Sequence, residues 1–329
     1  MGDIILTTPL IRAIGEAMPG AEIYYLAETP FNSLLEHHPL VTGTVPFDFS
    51  QIRKLRGLKA VGAQTHFVSE LRKHRFDLAI DLFGNPRSAL QARMSGAKYR
   101  IGGDFPGRGK LYNYRIDYHN KNYNAIDFHL KALEPLGINP PQNPVTEIFV
   151  TDEEQRWAQD YLKKMGINPE KKIVGIHPGA TWPAKMWLVE RFAALIREIK
   201  NSFNAEIVLT HGPGEDERIK TILKNVPEKI FTADILSLRR LAALLKQFNT
   251  YISNDCGPMH LSVAVGTKTL GIFGPSEPQI WFPYSPKLGH RYIHKADNCW
   301  PCHQDFCDTM ACMKNITVKE VLRLTAEML

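Results

Sequence analysis

Short apolar segments alternate with helical segments through the second half of this chain, and no other sequence feature limits the fold as strongly. Between two of these segments, apolar residues recur at positions 188, 189, 192, 195, 196 and 199, which is helical spacing. Strands that alternate with helices form a parallel sheet that helices cover on both faces. The apolar segments that we predict as strands are 172–176, 207–209, 229–231, 251–253 and 269–273.

The first half shows the same α/β pattern less clearly. Helical periodicity covers residues 4–17 and 64–73, and the clearest strand is 76–82. A chain of 329 residues exceeds what one hydrophobic core usually serves, and a proline-rich stretch at 137–144 separates the halves. We expect an N-terminal Rossmann-like domain over 1–145, a C-terminal one over 146–315, and a C-terminal helix over 316–329 that packs back toward the N-terminal domain.

The start of the chain departs from this plan. A doubly wound domain normally begins with a strand, and the loop after that strand lies at the ligand crevice. Here Gly2 and Asp3 lead directly into a helix, so the loop is present and the strand is not. We therefore expect that the first strand of the N-terminal domain is missing, through a start assigned at an internal methionine or because the chain is a fragment.

The charge balance is mildly basic, with 40 Lys and Arg against 34 Asp and Glu and a net charge of +6. This suits an anionic substrate or an anionic membrane surface, and it does not require nucleic acid. No apolar run approaches the ~20 residues of a membrane span, and the first residues lack the features of a signal peptide. We expect a cytoplasmic protein that does not bind nucleic acid.

Residues 177–187 connect a predicted strand to a predicted helix. Gly179 permits close approach of a ligand to the backbone, and a helix N-terminus suits a phosphate. Thr181 offers a hydroxyl and Lys185 a cation, so the loop could hold a diphosphate. The alternative is an ordinary connection with a solvated lysine.

Residues 253–260 follow another predicted strand. Asp255 could accept hydrogen bonds from sugar hydroxyls, Gly257 would keep the backbone low beneath a ligand, and His260 lies on the first helical turn. Helix capping by Asp255 and Pro258 would explain part of this pattern without any ligand. It would not require Gly257 or His260, so we take the segment as a candidate site.

Two further carboxylates are candidates for the same site. Glu215 could bind ribose hydroxyls, or it could simply provide favourable negative charge at a helix start. Asp3 could act as the general base that a sugar transfer requires, or it could cap the helix that follows.

Four cysteines, Cys299, Cys302, Cys307 and Cys312, lie in one short stretch, and Cys256 stands apart. The four thiols could ligate Zn²⁺, although their spacing is not that of two C-x₂-C pairs. A small buried cluster or a redox-labile group explains them equally well. Cysteines confined to one stretch argue against an oxidising compartment with a distributed disulfide framework.

Taken together and in this order, the motifs resemble those of glycosyltransferase family 9, the ADP-heptose:lipopolysaccharide heptosyltransferases. The resemblance implies a GT-B fold, in which two Rossmann-like domains with parallel sheets face a central cleft. It also implies an inverting, metal-independent transfer from ADP-L-glycero-D-manno-heptose to a lipopolysaccharide inner-core acceptor. The similar segments are residues 2–12, 77–88, 177–187, 254–260 and 273–276.

By this resemblance, Asp3 would be the base, Thr181 and Lys185 would contact the diphosphate, Asp255 the heptose and Glu215 the ribose. The C-terminal cysteines also recur in members of the family, and the reaction would require no cofactor.

The acceptor implied by the resemblance, lipopolysaccharide core or lipid A-Kdo, is phosphorylated and anchored in lipid. Arg87 and Arg100 could meet its phosphates, and the basic balance would favour peripheral contact with the inner membrane. Two alternatives stay open. One is another GT-B sugar-nucleotide enzyme, either an epimerase or a transferase with a different hexosyl donor. The other is a non-catalytic nucleotide-sugar binder, because the first strand is absent.

Overall fold

The structure, a computed structural model, describes residues 1–117, 123–302 and 304–329. The chain divides into an N-terminal unit, Leu6–Pro144, and a C-terminal unit that joins Met1–Ile5 to Val145–Leu329. The first five residues thus belong to the C-terminal unit and not to the domain that the sequence predicted for them. None of the helices in these described ranges is both long and apolar enough to cross a membrane.

Helices and strands alternate in both units. The strands are β1 (Tyr24–Glu28), β2 (Gly43–Phe47), β3 (Leu78–Ile80), β4 (Tyr99–Gly103), β5 (Tyr114–Ile116), β6 (Lys172–His177), β7 (Ala205–Leu209), β8 (Phe231–Thr232), β9 (Thr250–Asn254), β10 (Lys268–Phe273) and β11 (Arg291–His294). The α-helices are α1 (Gly2–Leu6), α2 (Thr8–Ala17), α3 (Phe49–Lys54), α4 (Leu58–Lys73), α5 (Pro86–Met94), α6 (Ala125–Leu130), α7 (Asp152–Met165), α8 (Val189–Ser202), α9 (Asp216–Lys224), α10 (Leu238–Leu245), α11 (Gly257–Ala264), α12 (Pro278–Trp281), α13 (Ala311–Asn315) and α14 (Val318–Met328).

The C-terminal unit contains one parallel sheet in the order β11-β10-β9-β6-β7-β8. Its inner strands carry apolar residues that are buried on both faces, as Val174, Ile207 and Ile252 show. This confirms the predicted parallel sheet. Strands β6 and β9 are neighbours in the sheet but not in the sequence. The chain returns from the edge strand β8 to β9, so the strand order reverses between β6 and β9. Ligands of such sheets bind beyond the carboxyl ends of the strands at this switch point.

The N-terminal unit has two separate parallel sheets within its described residues, β1-β2 and β3-β4-β5. The predicted strand over 76–82 is observed only as β3, and its three residues are half-buried. The predicted helix over 4–17 is interrupted at Thr7, because Pro9 has no N–H with which to continue the hydrogen bonds of α1. The expectation that the first strand is missing stays a prediction.

The C-terminal helix α14 packs on the core of its own unit. Thr317 and Glu320 form a capping box at its start, with Glu320 N donating to Thr317 Oγ1 over 3.3 Å. Val321 and Met328 lie in the same hydrophobic core as Trp187. The apolar face of α14 is covered by helix α8 and strand β10, and the expected packing toward the N-terminal domain stays a prediction.

Candidate active site

The loops that follow β6 and β9 lie at the switch point of the C-terminal sheet. Residues 178–187 connect β6 to α8, and Asp255 and Cys256 connect β9 to α11. Because carboxyl ends of parallel strands meet at one edge of a sheet, residues from both loops can converge on one ligand.

Lys185 and Asp255 are brought together as this topology requires. Lys185 Nζ donates to Asp255 Oδ2 over 2.6 Å and lies 4.6 Å from the centre of the Trp182 ring. The Asp255 side chain is 5% exposed, so its carboxylate is nearly removed from water. It does not cap α11, because the cap position is occupied by Cys256, whereas Pro258 lies in the first turn as predicted.

Ser276 is a site residue to which sequence reasoning gave no role. Its Oγ donates to Asp255 Oδ2 over 2.5 Å, and its carbonyl accepts from Trp300 Nε1 over 3.2 Å. The motif 273–276 was visible in the sequence, but the pairing with a residue 21 positions earlier was not. Asp255 therefore accepts two hydrogen bonds on one oxygen and keeps the other oxygen for a further donor.

Glu215 lies against the backbone of the loop that carries Lys185. Its Oε2 accepts from Gly212 N over 2.7 Å and lies 3.6 Å from His177 Nε2. A Cβ atom on Gly179 would lie 1.9 Å from Glu215 Oε1, so any larger residue there would displace the Glu215 carboxylate from its observed position. Burial lowers the pKa of the His177 imidazole, and the neighbouring Glu215 carboxylate opposes this shift. Thr181 is exposed on the same loop.

His260 is buried on α11 beneath the first residues of the chain. Its Nδ1 lies 2.6 Å from Tyr284 Oη. Burial lowers its pKa to about 4, whereas the negative charges of Asp255 and Asp3 act in the opposite direction. A Cβ atom on Gly2 would lie 2.8 Å from His260 Cδ2, so this glycine allows close packing.

Gly257 makes a similar contact with Met1. A Cβ atom on Gly257 would lie 3.0 Å from the Met1 side chain. Met1 and Gly2 therefore pack on the start of α11, and Asp3 stands exposed within the electrostatic range of His260. Asp3 lies inside α1, which begins at Gly2, so it is not the helix cap that the sequence also suggested.

The two arginines predicted to meet acceptor phosphates lie in the N-terminal unit and differ from each other. Arg100 Nε donates to Leu111 O over 2.9 Å and Nη1 to Ala97 O over 2.6 Å. These bonds connect Nε and Nη1 of the guanidinium to backbone carbonyls, and the contact of Arg100 with an acceptor phosphate stays a prediction. Arg87 lies in the first turn of α5, 5.6 Å from the centre of the Phe47 ring, and its role stays a prediction.

The C-terminal cysteines are close to one another, and all are free thiols. Cys307 Sγ accepts from Met310 N over 3.3 Å, and hydrogen bonds from Thr309 and Met310 lower its pKa. Burial raises the pKa of Cys312, as does the proximity of Cys302, Cys307 and Cys299. Over the described ranges, no group of three or more His, Cys, Asp or Glu side chains is arranged to hold a metal ion. Zinc binding stays a prediction.

The chain is similar in sequence to known lipopolysaccharide heptosyltransferases. The chain is 24% identical to lipopolysaccharide heptosyltransferase 3 of Escherichia coli over 294 residues, covering 87% of this chain and 84% of the relative. It is 23% identical to lipopolysaccharide heptosyltransferase 2 of E. coli K12 over 328 residues, covering 94% and 92%.

Solved structures confirm the predicted GT-B fold. A glycosyltransferase family 9 protein from Veillonella parvula DSM 2008 superposes with a TM-score of 0.86 at 22% identity, covering 99% of this chain and 93% of that one. E. coli heptosyltransferase WaaC with ADP superposes with a TM-score of 0.80 at 21% identity, covering 100% and 97%. The family described as glycosyltransferase family 9 (heptosyltransferase) matches residues 65–310. The chain therefore belongs to glycosyltransferase family 9 and is a glycosyltransferase.

Proposed function

We propose that this glycosyltransferase moves heptose from ADP-L-glycero-D-manno-heptose to a lipopolysaccharide inner-core acceptor, with inversion and without a metal ion. The observation that carries the proposal is the pairing of Lys185 with Asp255 at the switch point, together with Glu215, which packs against Gly179 of the loop that carries Lys185. One cation and two carboxylates there match a donor that offers a diphosphate, sugar hydroxyls and ribose hydroxyls. Two of the relatives described above carry lipopolysaccharide heptosyltransferase in their names.

The donor contacts follow from the chemistry of each side chain. Lys185 and the hydroxyl of Thr181 bind the diphosphate, and Lys185 offsets the negative charge that grows on the leaving ADP. Asp255 accepts hydrogen bonds from heptose hydroxyls, and Glu215 accepts them from the ribose. Gly257 and His260 shape the floor of the site, since both are in close contact with the first residues of the chain.

Asp3 is the general base of the proposed reaction. Its carboxylate takes the proton from an acceptor hydroxyl, whose oxygen then bonds to the anomeric carbon on the face opposite ADP. The bond between that carbon and the diphosphate oxygen breaks, and ADP leaves with the electron pair. The proximity of Gly2 to His260, and of His260 to Asp255, supports this role for Asp3.

The acceptor in this proposal is phosphorylated and anchored in lipid. Arg87 is the candidate contact for its phosphates, because guanidinium groups bind phosphate oxygens in pairs. The net charge of +6 favours peripheral contact with the anionic inner face of the cytoplasmic membrane. We therefore place the enzyme in the cytoplasm as part of the proposal.

The test is incubation of the protein with ADP-heptose and a lipid A-Kdo acceptor, with ADP release and product mass as readouts. We expect a heptosylated acceptor whose new linkage has inverted configuration. Conversion of ADP-heptose without acceptor would identify an epimerase, and binding without conversion would identify a nucleotide-sugar binder. Either result would contradict the proposal.

Asp3→Asn tests the base directly. We expect kcat to fall about 10²–10⁴-fold because proton transfer from the acceptor is lost. Asp160→Asn changes an exposed aspartate on α7 and is the matched control, which should keep wild-type turnover. Turnover of Asp3→Asn within a few-fold of the control would exclude Asp3 as the base.

A further inference from the structure

The side chain of Asn254, the last residue of β9, forms hydrogen bonds to both ends of the loop 178–187. Asn254 Nδ2 donates to Pro178 O over 2.7 Å and to Gly179 O over 3.1 Å. Its Oδ1 accepts from Trp187 N over 3.0 Å. Because Asn254 is fully buried, these groups satisfy one another where water does not reach.

Arg218 on α9 also forms hydrogen bonds to both ends of this loop. Its Nε donates to Pro178 O over 2.7 Å, and its Nη2 donates to Trp187 O. Two side chains from different elements thus bond to the first and last residues of the loop that carries Thr181 and Lys185. The tip of the loop has its own turn, in which Lys185 N donates to Trp182 O over 2.9 Å.

Asparagine suits this position because the bonds need both donors and an acceptor on one short side chain. Aspartate at 254 would keep an acceptor for Trp187 N but would turn carboxylate oxygens toward the carbonyls of Pro178 and Gly179. Asn254 also precedes Asp255, so one backbone segment fixes both the loop of Lys185 and the carboxylate that Lys185 contacts. The neutral residue Asn254 therefore fixes the position of Lys185 relative to Asp255.

We propose that Asn254 and Arg218 are positioning residues that set the place of Lys185 relative to Asp255 and thereby determine how well the donor diphosphate is captured. This inference rests on the proposed function for its catalytic consequence. The structural part of the proposal is that these two side chains hold the loop 178–187 in place. It does not depend on which substrate the enzyme uses.

The first experiment measures hydrogen exchange of backbone amides in residues 179–186. In Asn254→Asp, the loss of two donor bonds to buried carbonyls should speed exchange about 10- to 100-fold there. Amides of β7, which Asn254 does not contact, should keep their wild-type rates. Unchanged exchange in the loop would overturn the proposal.

The second experiment measures donor and acceptor KM and kcat for Arg218→Lys, which keeps the charge and removes the fork of donors. We expect the donor KM to rise about 10-fold or more from the loss of a charged hydrogen bond, with an unchanged acceptor KM. Arg239→Lys is the matched control, because Arg239 also donates to a carbonyl, that of Phe149, away from the loop. A donor KM that does not change, or one that rises equally in the control, would overturn the proposal.

A double-mutant cycle links the positioning residues to Lys185. If Asn254 acts through Lys185, Asn254→Asp should change the donor KM much less in a Lys185→Ala background than in the wild type. Equal effects in both backgrounds would contradict the proposal. Wild-type protein that transfers no heptose would contradict the proposed function instead, and hydrogen exchange would still decide whether these side chains hold the loop. Since Asn254→Asp could fail to fold, Arg218→Lys carries the exchange measurement as well.

Discussion

The sheets of the two units consist of parallel strands but differ in continuity. In the C-terminal unit one sheet runs unbroken from β11 to β8, and residues of its inner strands are buried on both faces. In the N-terminal unit the described strands form two sheets, and β1 and β3 are mostly half-buried. The unbroken sheet carries the proposed donor site at its switch point, so the same strands form the buried core and position the proposed site residues. We therefore expect equivalent substitutions in the two units to have very different effects on catalysis and stability.

The largest difference should appear in catalysis. Lys185→Ala removes the cation proposed to stabilise the leaving diphosphate, so we expect kcat to fall about 10²–10³-fold. Arg87→Ala in the N-terminal unit should instead raise the acceptor KM about 10-fold, the scale of one charged hydrogen bond, and leave the donor KM unchanged. Steady-state kinetics with each substrate varied in turn measures both. A fall in kcat for Arg87→Ala equal to that for Lys185→Ala would contradict the expected difference between the units.

The next difference should appear in stability. Leu270 in β10 is fully buried, whereas Leu26 in β1 is half-buried. We expect Leu270→Ala to lower the free energy of unfolding by about 2–5 kcal/mol. Leu26→Ala should lower it by about 1–2 kcal/mol, because part of that side chain already contacts water. Urea unfolding measures both costs. All five tryptophans lie in the C-terminal unit, at 157, 182, 187, 281 and 300, so fluorescence follows that unit and circular dichroism follows both. Equal costs would show that the half-buried strand is as tightly packed as the buried one.

A third difference should appear on acidification. Folding lowers the pKa of His260 from 6.5 to about 4, so the unfolded chain binds the proton first as the pH falls. The contribution of neutral His260 to stability is therefore complete above about pH 6.5 and is lost toward pH 4, by ~3 kcal/mol. His260→Gln should flatten this part of the pH profile of tryptophan fluorescence in urea. An unchanged slope would show that His260 is not protonated on unfolding.

The parts of the site that sequence reasoning found are those with local signals. Lys185 and Asp255 each follow a short apolar strand, and the rule that parallel strands end at one edge is enough to bring them together. The packing of Gly179 against Glu215 also has a local sign, since a glycine in a strand-to-helix loop permits close approach.

The residues that sequence reasoning missed act through side chains from distant positions. Ser276, Asn254 and Arg218 have roles only because the fold places them beside Asp255 and the loop 178–187. Nothing in the spacing of Arg100 distinguishes an arginine that binds backbone carbonyls from one that binds phosphate. Two further features likewise depend on which apolar faces meet: the surface on which α14 packs and the unit to which residues 1–5 belong. A single sequence does not specify these contacts.

The ion pair of Lys185 and Asp255 has a consequence for product release. These two groups neutralise each other at 2.6 Å, so a ligand that separates them must compensate both charges. The proposed donor does so, because its phosphates meet the lysine while its sugar hydroxyls meet the aspartate. ADP alone satisfies only the lysine and leaves a nearly buried carboxylate without its cation. We expect re-formation of the ion pair to favour release of ADP after transfer. The same contact would then permit binding of the donor and promote release of the product.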